Sequence, residues 1–425
     1  MEENFKSLEK YNFWKNNLPQ LGFLRESYLK KIFGYIDNKL VKVLVGQRRS
    51  GKSYILRQIA NELIKNGVDP KNIFYINKEF INFDFLNHYK DLEDLLNFYK
   101  SKLKPLGKIY LFIDEIQNIA EWEKFVNSHS QDYTENFEIF ISGSNSNMLS
   151  GELATLLSGR YVSFEIFPFS FEEYIGITQQ LINKQSYIAY MESGGLPELF
   201  VLPNNETKRH YVSSIKDTVL LKDIIQRYAI KDAKLLEDIF VYLVNNASNL
   251  MSVNNIANFL KSNGRKTTYD TVANYINYIE ETFIIHKVLR CDIKGKETLL
   301  GNGKYYCNDL AYKNYLYSGF GYGIGYLLEN LIYLELRRNG FEVYVGVIPH
   351  KEIDFVAKKE DKILYIQSSY LLFDEETIKR EFSALEAITD NYEKIVVTLD
   401  DVTFPQQQGI KHLQAWQLHN YLKNW

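Results

Sequence analysis

Residues Gly46-Gln47-Arg48-Arg49-Ser50-Gly51-Lys52-Ser53 constrain this chain most, because they match the pattern GxxxxGK[ST]. A short apolar run, Val41 to Val45, precedes them, and an amphipathic stretch from Lys52 to Lys65 follows. A glycine-rich turn that leaves a strand and opens a helix presents backbone N–H groups and the helix N-terminus to phosphate. In that geometry Lys52 reaches the β- and γ-phosphates and Ser53 offers its hydroxyl to magnesium. Gln47, Arg48, Arg49, Ser50 and Tyr54 complete the expected lining, although the two arginines either touch phosphate or point to solvent.

A second segment matches the first. Ile109-Tyr-Leu-Phe-Ile-Asp114-Glu115 is an apolar strand that ends in two acids. The first acid at such a strand end suits a magnesium ligand. The second suits polarisation of an attacking water, as a general base. Downstream, Glu138-Ile-Phe-Ile-Ser142 runs into Gly143-Ser144-Asn145-Ser146. Either Ser142 or Ser144 can stand between the acids and the γ-phosphate, and the alternative is a plain polar turn.

Four short apolar runs, at Val41–Val45, Asn72–Ile76, Ile109–Ile113 and Phe137–Ile141, alternate with helical stretches. That rhythm predicts a parallel sheet covered by helices on both faces. Residues 1–40 read as helical. Beyond Arg160 the alternation stops, and 170–235 reads as mostly helical, broken at Ser193-Gly-Gly-Leu-Pro197. Three helical patterns and a strand follow to residue 310. A helix from Leu327 to Arg338 then precedes strands at Glu342–Val347, Glu352–Ala357 and Lys362–Gln367.

Composition narrows the classes further. With 425 residues, two or three domains are expected. A hydrophobic share of 45% and a charged share of 24% argue against disorder. The formal charge of -3 gives no global basic field for nucleic acid. Two cysteines, Cys291 and Cys307, exclude a disulfide framework. No signal-like start and no membrane-length apolar run is present, which fits a cytoplasmic protein.

The combined motifs resemble a family of prokaryotic AAA-type P-loop ATPases in which a winged helix and a restriction-endonuclease-like domain follow the ATPase. The resemblance rests on Gly46 to Ser53, Phe112-Ile-Asp-Glu-Ile-Gln117, Ser142 to Ser146, Glu152-Leu-Ala, Ser158-Gly-Arg160 and Phe167-Pro-Phe-Ser-Phe-Glu-Glu173. It continues through Gly194-Gly-Leu-Pro-Glu198, Leu221-Lys-Asp-Ile224, Glu329-Asn-Leu and Glu352-Ile-Asp-Phe355. It implies an α/β fold: a P-loop NTPase parallel sheet, then a helical and winged-helix region, then an α/β nuclease-like domain. It implies adenine rather than guanine nucleotide, with ATP and Mg2+ as cofactors, and it aligns Arg160 with an arginine that either stabilises transition-state charge or makes a surface ion pair. Homo-oligomers occur among such relatives.

The expected domains are 1–170 for the ATPase, 171–235 for a helical connector, 236–310 for the winged helix and 311–425 for the nuclease-like part. In the winged helix, Lys261, Arg265 and Lys266 lie before a third helix and could meet DNA phosphates, or the module could dock a protein. In the tail, Glu329, Asp354 and Gln367 fall on the positions of the nuclease acids. Gln367 replaces an acid and Ser369 replaces the usual lysine, so the domain is expected to be degenerate, with Lys362 and Lys379 as candidate migrated lysines. The expected function is an ATPase using ATP as a switch for its C-terminal parts or a partner. The alternative is a nucleotide-gated DNA-binding protein, with an ATP-gated nuclease less favoured.

Overall fold

A computed structural model describes residues 2–16, 19–148, 157, 159–295, 297–317, 323–372 and 374–425. The chain forms two compact units, Met1–Phe167 and Pro168–Trp425. The expected Glu152-Leu-Ala motif and Ser158 lie outside the described residues.

The first unit is built on five strands: β1 (Val41–Val45), β2 (Ile73–Asn77), β3 (Ile109–Asp114), β4 (Phe137–Gly143) and β5 (Tyr161–Glu165). All pairings are parallel, in the order β2-β3-β4-β1-β5. β1 to β4 are buried along their whole length, which is why they read as largely apolar runs rather than alternating ones, interrupted in β1 and β4 by the buried ion pair Lys42–Glu138. Helix Lys52–Lys65 places Ile55, Leu56, Ile59 and Leu63 in the same core as Phe112 and Phe140.

Among the described residues of 1–40, α-helix spans Glu2–Tyr11 and Glu26–Phe33, with a short 3-10 helix at Trp14–Asn16. Lys15 and Gly22 adopt positive φ between them. The intervening segment does a different task. Asn12 donates to the Tyr75 carbonyl at 2.8 Å and accepts from its N–H at 2.7 Å, and Trp14 Nε1 donates to the Ile73 carbonyl at 2.9 Å. These contacts pair the free edge of β2, which would otherwise expose a row of backbone groups.

The second unit is built on an eight-stranded sheet. Its strands are β6 (Leu250–Met251), β7 (Ile285–Asp292), β8 (Glu297–Cys307), β9 (Glu342–Ile348), β10 (Lys351–Lys359), β11 (Lys362–Ser369), β12 (Glu393–Thr398) and β13 (Ile410–Gln414). Their order is β13-β12-β11-β10-β9-β7-β8-β6. Helices Ala233–Asn245, Val253–Ser262 and Tyr269–Glu280 pack one core. Thr268 caps the third of them by accepting from Thr271 N, as its position before the helix suggests. The β7–β8 hairpin that follows is not a free wing. β7 pairs in parallel with β9 over Arg290–Asp292 and Val345–Val347, so one sheet runs across residue 310. A boundary at 310/311 therefore falls inside a sheet. Between the connector helices, Val219–Ile225 is π-helical. No helix among the described residues is long and apolar enough to cross a membrane.

Candidate functional site

The strand order decides where the site lies. β4 separates the loop-bearing β1 from the acid-bearing β3, and all three end on the same edge of a parallel sheet. Ligands of such sheets bind beyond the carboxyl ends of the strands.

At the end of β1, Gly46 has φ 143°, and a Cβ there would lie 2.4 Å from the Ile166 carbonyl oxygen. Gly51 follows in the left-handed region at φ 98° and starts helix Lys52–Lys65 with no side-chain cap. The first N–H groups of that helix therefore have no intrahelical acceptor and remain available to an anion. Lys52 is 4% exposed. Its Nζ donates to the carbonyls of Gly46 and Gln47, both at 3.0 Å, and lies 3.8 Å from Glu115 Oε1. Burial lowers the Lys52 pKa, and the charges of Glu115 and Asp114 oppose that shift.

Arg48 donates to Glu79 Oε1 at 2.6 Å rather than pointing freely to solvent. Arg49 is exposed at φ 65°. Among the described residues, the side-chain polar atoms of Gln47 and the Ser50 hydroxyl are buried without a hydrogen-bond partner. Tyr54 stands on the first turn of the helix, its ring against Gly22 and beneath the Arg57 guanidinium.

The acids are held by neighbouring strands. Asn77 Nδ2 donates to Asp114 Oδ2 at 2.7 Å, and Tyr75 OH to the same oxygen at 3.2 Å. Ser142 Oγ donates to Asp114 Oδ1, and also accepts from the Glu115 N–H at 3.2 Å. Burial and the adjacent Glu115 push Asp114 up to about 6, while hydrogen bonds from Ser142 and Ser53 work the other way. Glu115 adopts the left-handed conformation, φ 54°. Its Oε2 accepts from Gln117 Nε2 at 2.5 Å and from Ser144 Oγ at 3.2 Å. The two candidate serines thus divide the acids between them, Ser142 on Asp114 and Ser144 on Glu115. Gly143 must be small: a Cβ there would sit 1.8 Å from Met148 Sδ and 2.6 Å from Gln117 Oε1.

A family profile described as an AAA domain matches residues 38–175. An uncharacterized protein of Haemophilus influenzae is 37% identical over 378 residues, 88% of this chain and 92% of its own length. The chain belongs to the same AAA-domain family. An uncharacterized protein of Methanocaldococcus jannaschii is 31% identical over 405 residues, 87% of this chain and 84% of its own. A second profile, a domain of unknown function (DUF8612), matches residues 184–321. Among solved structures, the RuvB Holliday junction branch migration motor of Thermotoga maritima shares 17% identity and a TM-score of 0.33. That likeness covers 63% of this chain and 90% of the RuvB chain.

Within the AAA domain the sheet brings Lys52, Ser53, Asp114, Glu115, Ser142 and Ser144 together. Arg160 is exposed just before β5, and its backbone carbonyl accepts from Val41 N at 2.9 Å. Among the described residues its side chain makes no hydrogen bond or ion pair. Sequence reasoning missed Asn77, Tyr75 and Gln117, and it missed Arg25, whose guanidinium holds the loop from below. The signal for Asn77 is its place at the C-terminal end of β2, directly opposite Asp114 in the β2–β3 register.

In the second unit Glu329 on helix Ile324–Arg338 and Asp354 on β10 do converge. Gln367 turns its Oε1 to the Asp354 N–H, accepting from it at 3.3 Å. Lys379 is exposed on its helix and Lys362 reaches the C-terminal Trp425 carbonyl, so neither is the migrated lysine. The lysine at the acids is Lys304 of β8, with Nζ 2.9 Å from Glu329 Oε1. Of the basic residues before the third helix, Arg265 is tied to Asp238 at 2.5 Å.

Proposed function

We propose that the AAA domain binds ATP with Mg2+ and hydrolyses it, ATP acting as a switch for the C-terminal unit or for a partner. The convergence of Lys52 and Glu115, 3.8 Å apart at the ends of two strands that β4 separates, carries this reading.

The residues fit the cofactors. Ser53 hydrogen-bonds Asp114, whose pKa is raised first by burial and then by the adjacent Glu115 charge, and a divalent cation would offset both. The unpartnered buried polar atoms of Gln47 and Ser50 suit a polar ligand. Magnesium, when bound, neutralises charge on the β- and γ-phosphate oxygens. Ser53 and Asp114 would hold it, and Lys52, which donates to the Gly46 and Gln47 carbonyls, would turn to phosphate. Glu115 orients and polarises the attacking water, held at its own Oε2 by Gln117 and Ser144. The choice of adenine rests on the family resemblance.

Equilibrium titration with fluorescent ATP and GTP analogues tests the binding. Lys52→Ala is expected to weaken ATP binding about 100-fold or more, roughly 2.7 kcal/mol. Unchanged binding in that variant would sink the assignment of the site, and equal affinity for GTP would sink the assignment of the base.

A further inference from the structure

The second unit gathers four ionisable side chains from three separate segments, β8, helix Ile324–Arg338 and β10. Lys304 on β8 is 5% exposed. Its Nζ lies 2.9 Å from Glu329 Oε1, 2.9 Å from Glu352 Oε1 and 3.4 Å from Asp354 Oδ1. A buried ammonium loses its hydration and persists only where counter-charges and acceptors replace the water. Three carboxylates do that here.

The carboxylate oxygens nearest the centre are already engaged. Glu329 Oε1 accepts from Lys304 and also from Tyr306 OH at 2.7 Å. Asp354 Oδ2 accepts the amide and the hydroxyl of Ser368 at 2.8 and 2.9 Å, leaving Oδ1 to Lys304. Gln367 turns its oxygen to a backbone N–H. A magnesium ion needs near-octahedral oxygens at about 2.0–2.1 Å. The donor set that a nuclease-like domain would offer it is instead arranged around an ammonium.

We infer that Lys304 is the resident cation of this site. Its ammonium lies among the acids Glu329, Glu352 and Asp354, and it makes the site a metal-free tie between β8, helix Ile324–Arg338 and β10. The Glu352 side chain is 36% exposed and shares its charge with water, whereas Glu329 and Asp354 are buried beside Lys304. The same arrangement explains why Gln367 and Ser369 stand where an acid and a lysine would serve metal chemistry: with the cation supplied from β8, neither is needed.

The test is Mn2+ binding to the nucleotide-free full-length chain, followed by electron paramagnetic resonance and by thermal melts. Any Mn2+ held at the AAA domain is untouched by Glu329→Gln and subtracts out. Wild type is expected to show no bound Mn2+ that Glu329→Gln removes. Lys304→Ala is expected to melt lower by more than about 5 °C, and to bind Mn2+ at least tenfold more tightly than wild type. Adding Glu329→Gln to Lys304→Ala should abolish that gain. Saturable wild-type Mn2+ binding that Glu329→Gln removes would overturn the inference, as would a Lys304→Ala variant that melts like wild type. If Lys304→Ala does not fold, the comparison of wild type with Glu329→Gln decides by itself.

Discussion

Arg25 is 2% exposed and holds the phosphate loop from beneath. Its Nη1 donates to the Ser50 carbonyl at 2.9 Å and to the Phe167 carbonyl at 2.8 Å, joining the loop to the end of the first unit. Gln58 supports it, accepting from Arg25 N at 3.2 Å and donating to the Leu21 and Phe23 carbonyls. Arg25→Met would leave two buried carbonyls short of a donor. That variant is expected to lose about 2–4 kcal/mol of stability and to bind ATP at least tenfold more weakly. Denaturant melts and nucleotide titration check this, and wild-type behaviour in both would refute a supporting role. Arg25 and Asn77 were not legible in the sequence because no local pattern marks them. Lys52, Asp114 and Glu115 were, because each sits in a run whose spacing is fixed by strand–loop–helix geometry. Lys304 was hidden for the same reason as Arg25: its role comes from strand pairing, not from its neighbours in the chain.

At the scale of elements, the second unit is clamped by a histidine between two acids. His419, on helix Leu418–Lys423, places Nδ1 2.6 Å from Glu335 Oε1 and Nε2 2.7 Å from Glu172 Oε2. Arg338 and Lys423 approach the same acids, at 3.7 Å from Glu335 and 3.5 Å from Glu172. Burial alone would lower the His419 pKa, but the bonds to Glu172 and Glu335 raise it to about 10. A folded pKa above the unfolded value of 6.5 means that the stabilisation is complete below 6.5 and is lost as pH rises through 10. Wild type minus His419→Gln should therefore show a stability difference of about 1–3 kcal/mol near pH 6, reduced from the full linkage value because Glu172 is half solvated. The difference should shrink toward pH 10. A gap that is flat with pH would show that His419 is not charged in the fold. The helix carrying Glu335 and Arg338 was legible, since Leu327–Arg338 was expected and Ile324–Arg338 is found, whereas the short helix carrying His419 was not. β12 and β13 were not, and β13 shows why: five residues with one exposed position, Lys411, and only Ile410 and Leu413 apolar give too brief an alternation to separate from a loop.

At the scale of the whole molecule, the chain is two units, and the second cannot be divided at residue 310. A fragment 311–425 would lack β7 and β8, leaving the edge of β9 unpaired and Glu329 and Asp354 without Lys304. Exposed edges of this kind recruit other chains. Residues 168–425 are accordingly expected to fold with a cooperative melt, and 311–425 to aggregate or stay unfolded. A soluble, cooperatively melting 311–425 would contradict the continuous sheet. The first unit's five-stranded sheet was anticipated through its four buried runs. The single sheet of the second unit was not, because the β7–β9 pairing joins segments that a helix pair separates in sequence. ATP turnover with Mg2+, measured for wild type, Glu115→Gln and Lys52→Ala, is the most direct test of the central claim. Turnover should be present in wild type and fall at least 100-fold in both variants, about 2.7 kcal/mol in barrier height, with ATP still bound by Glu115→Gln. Turnover that survives Glu115→Gln, or a wild type that binds ATP and never hydrolyses it, would contradict the account.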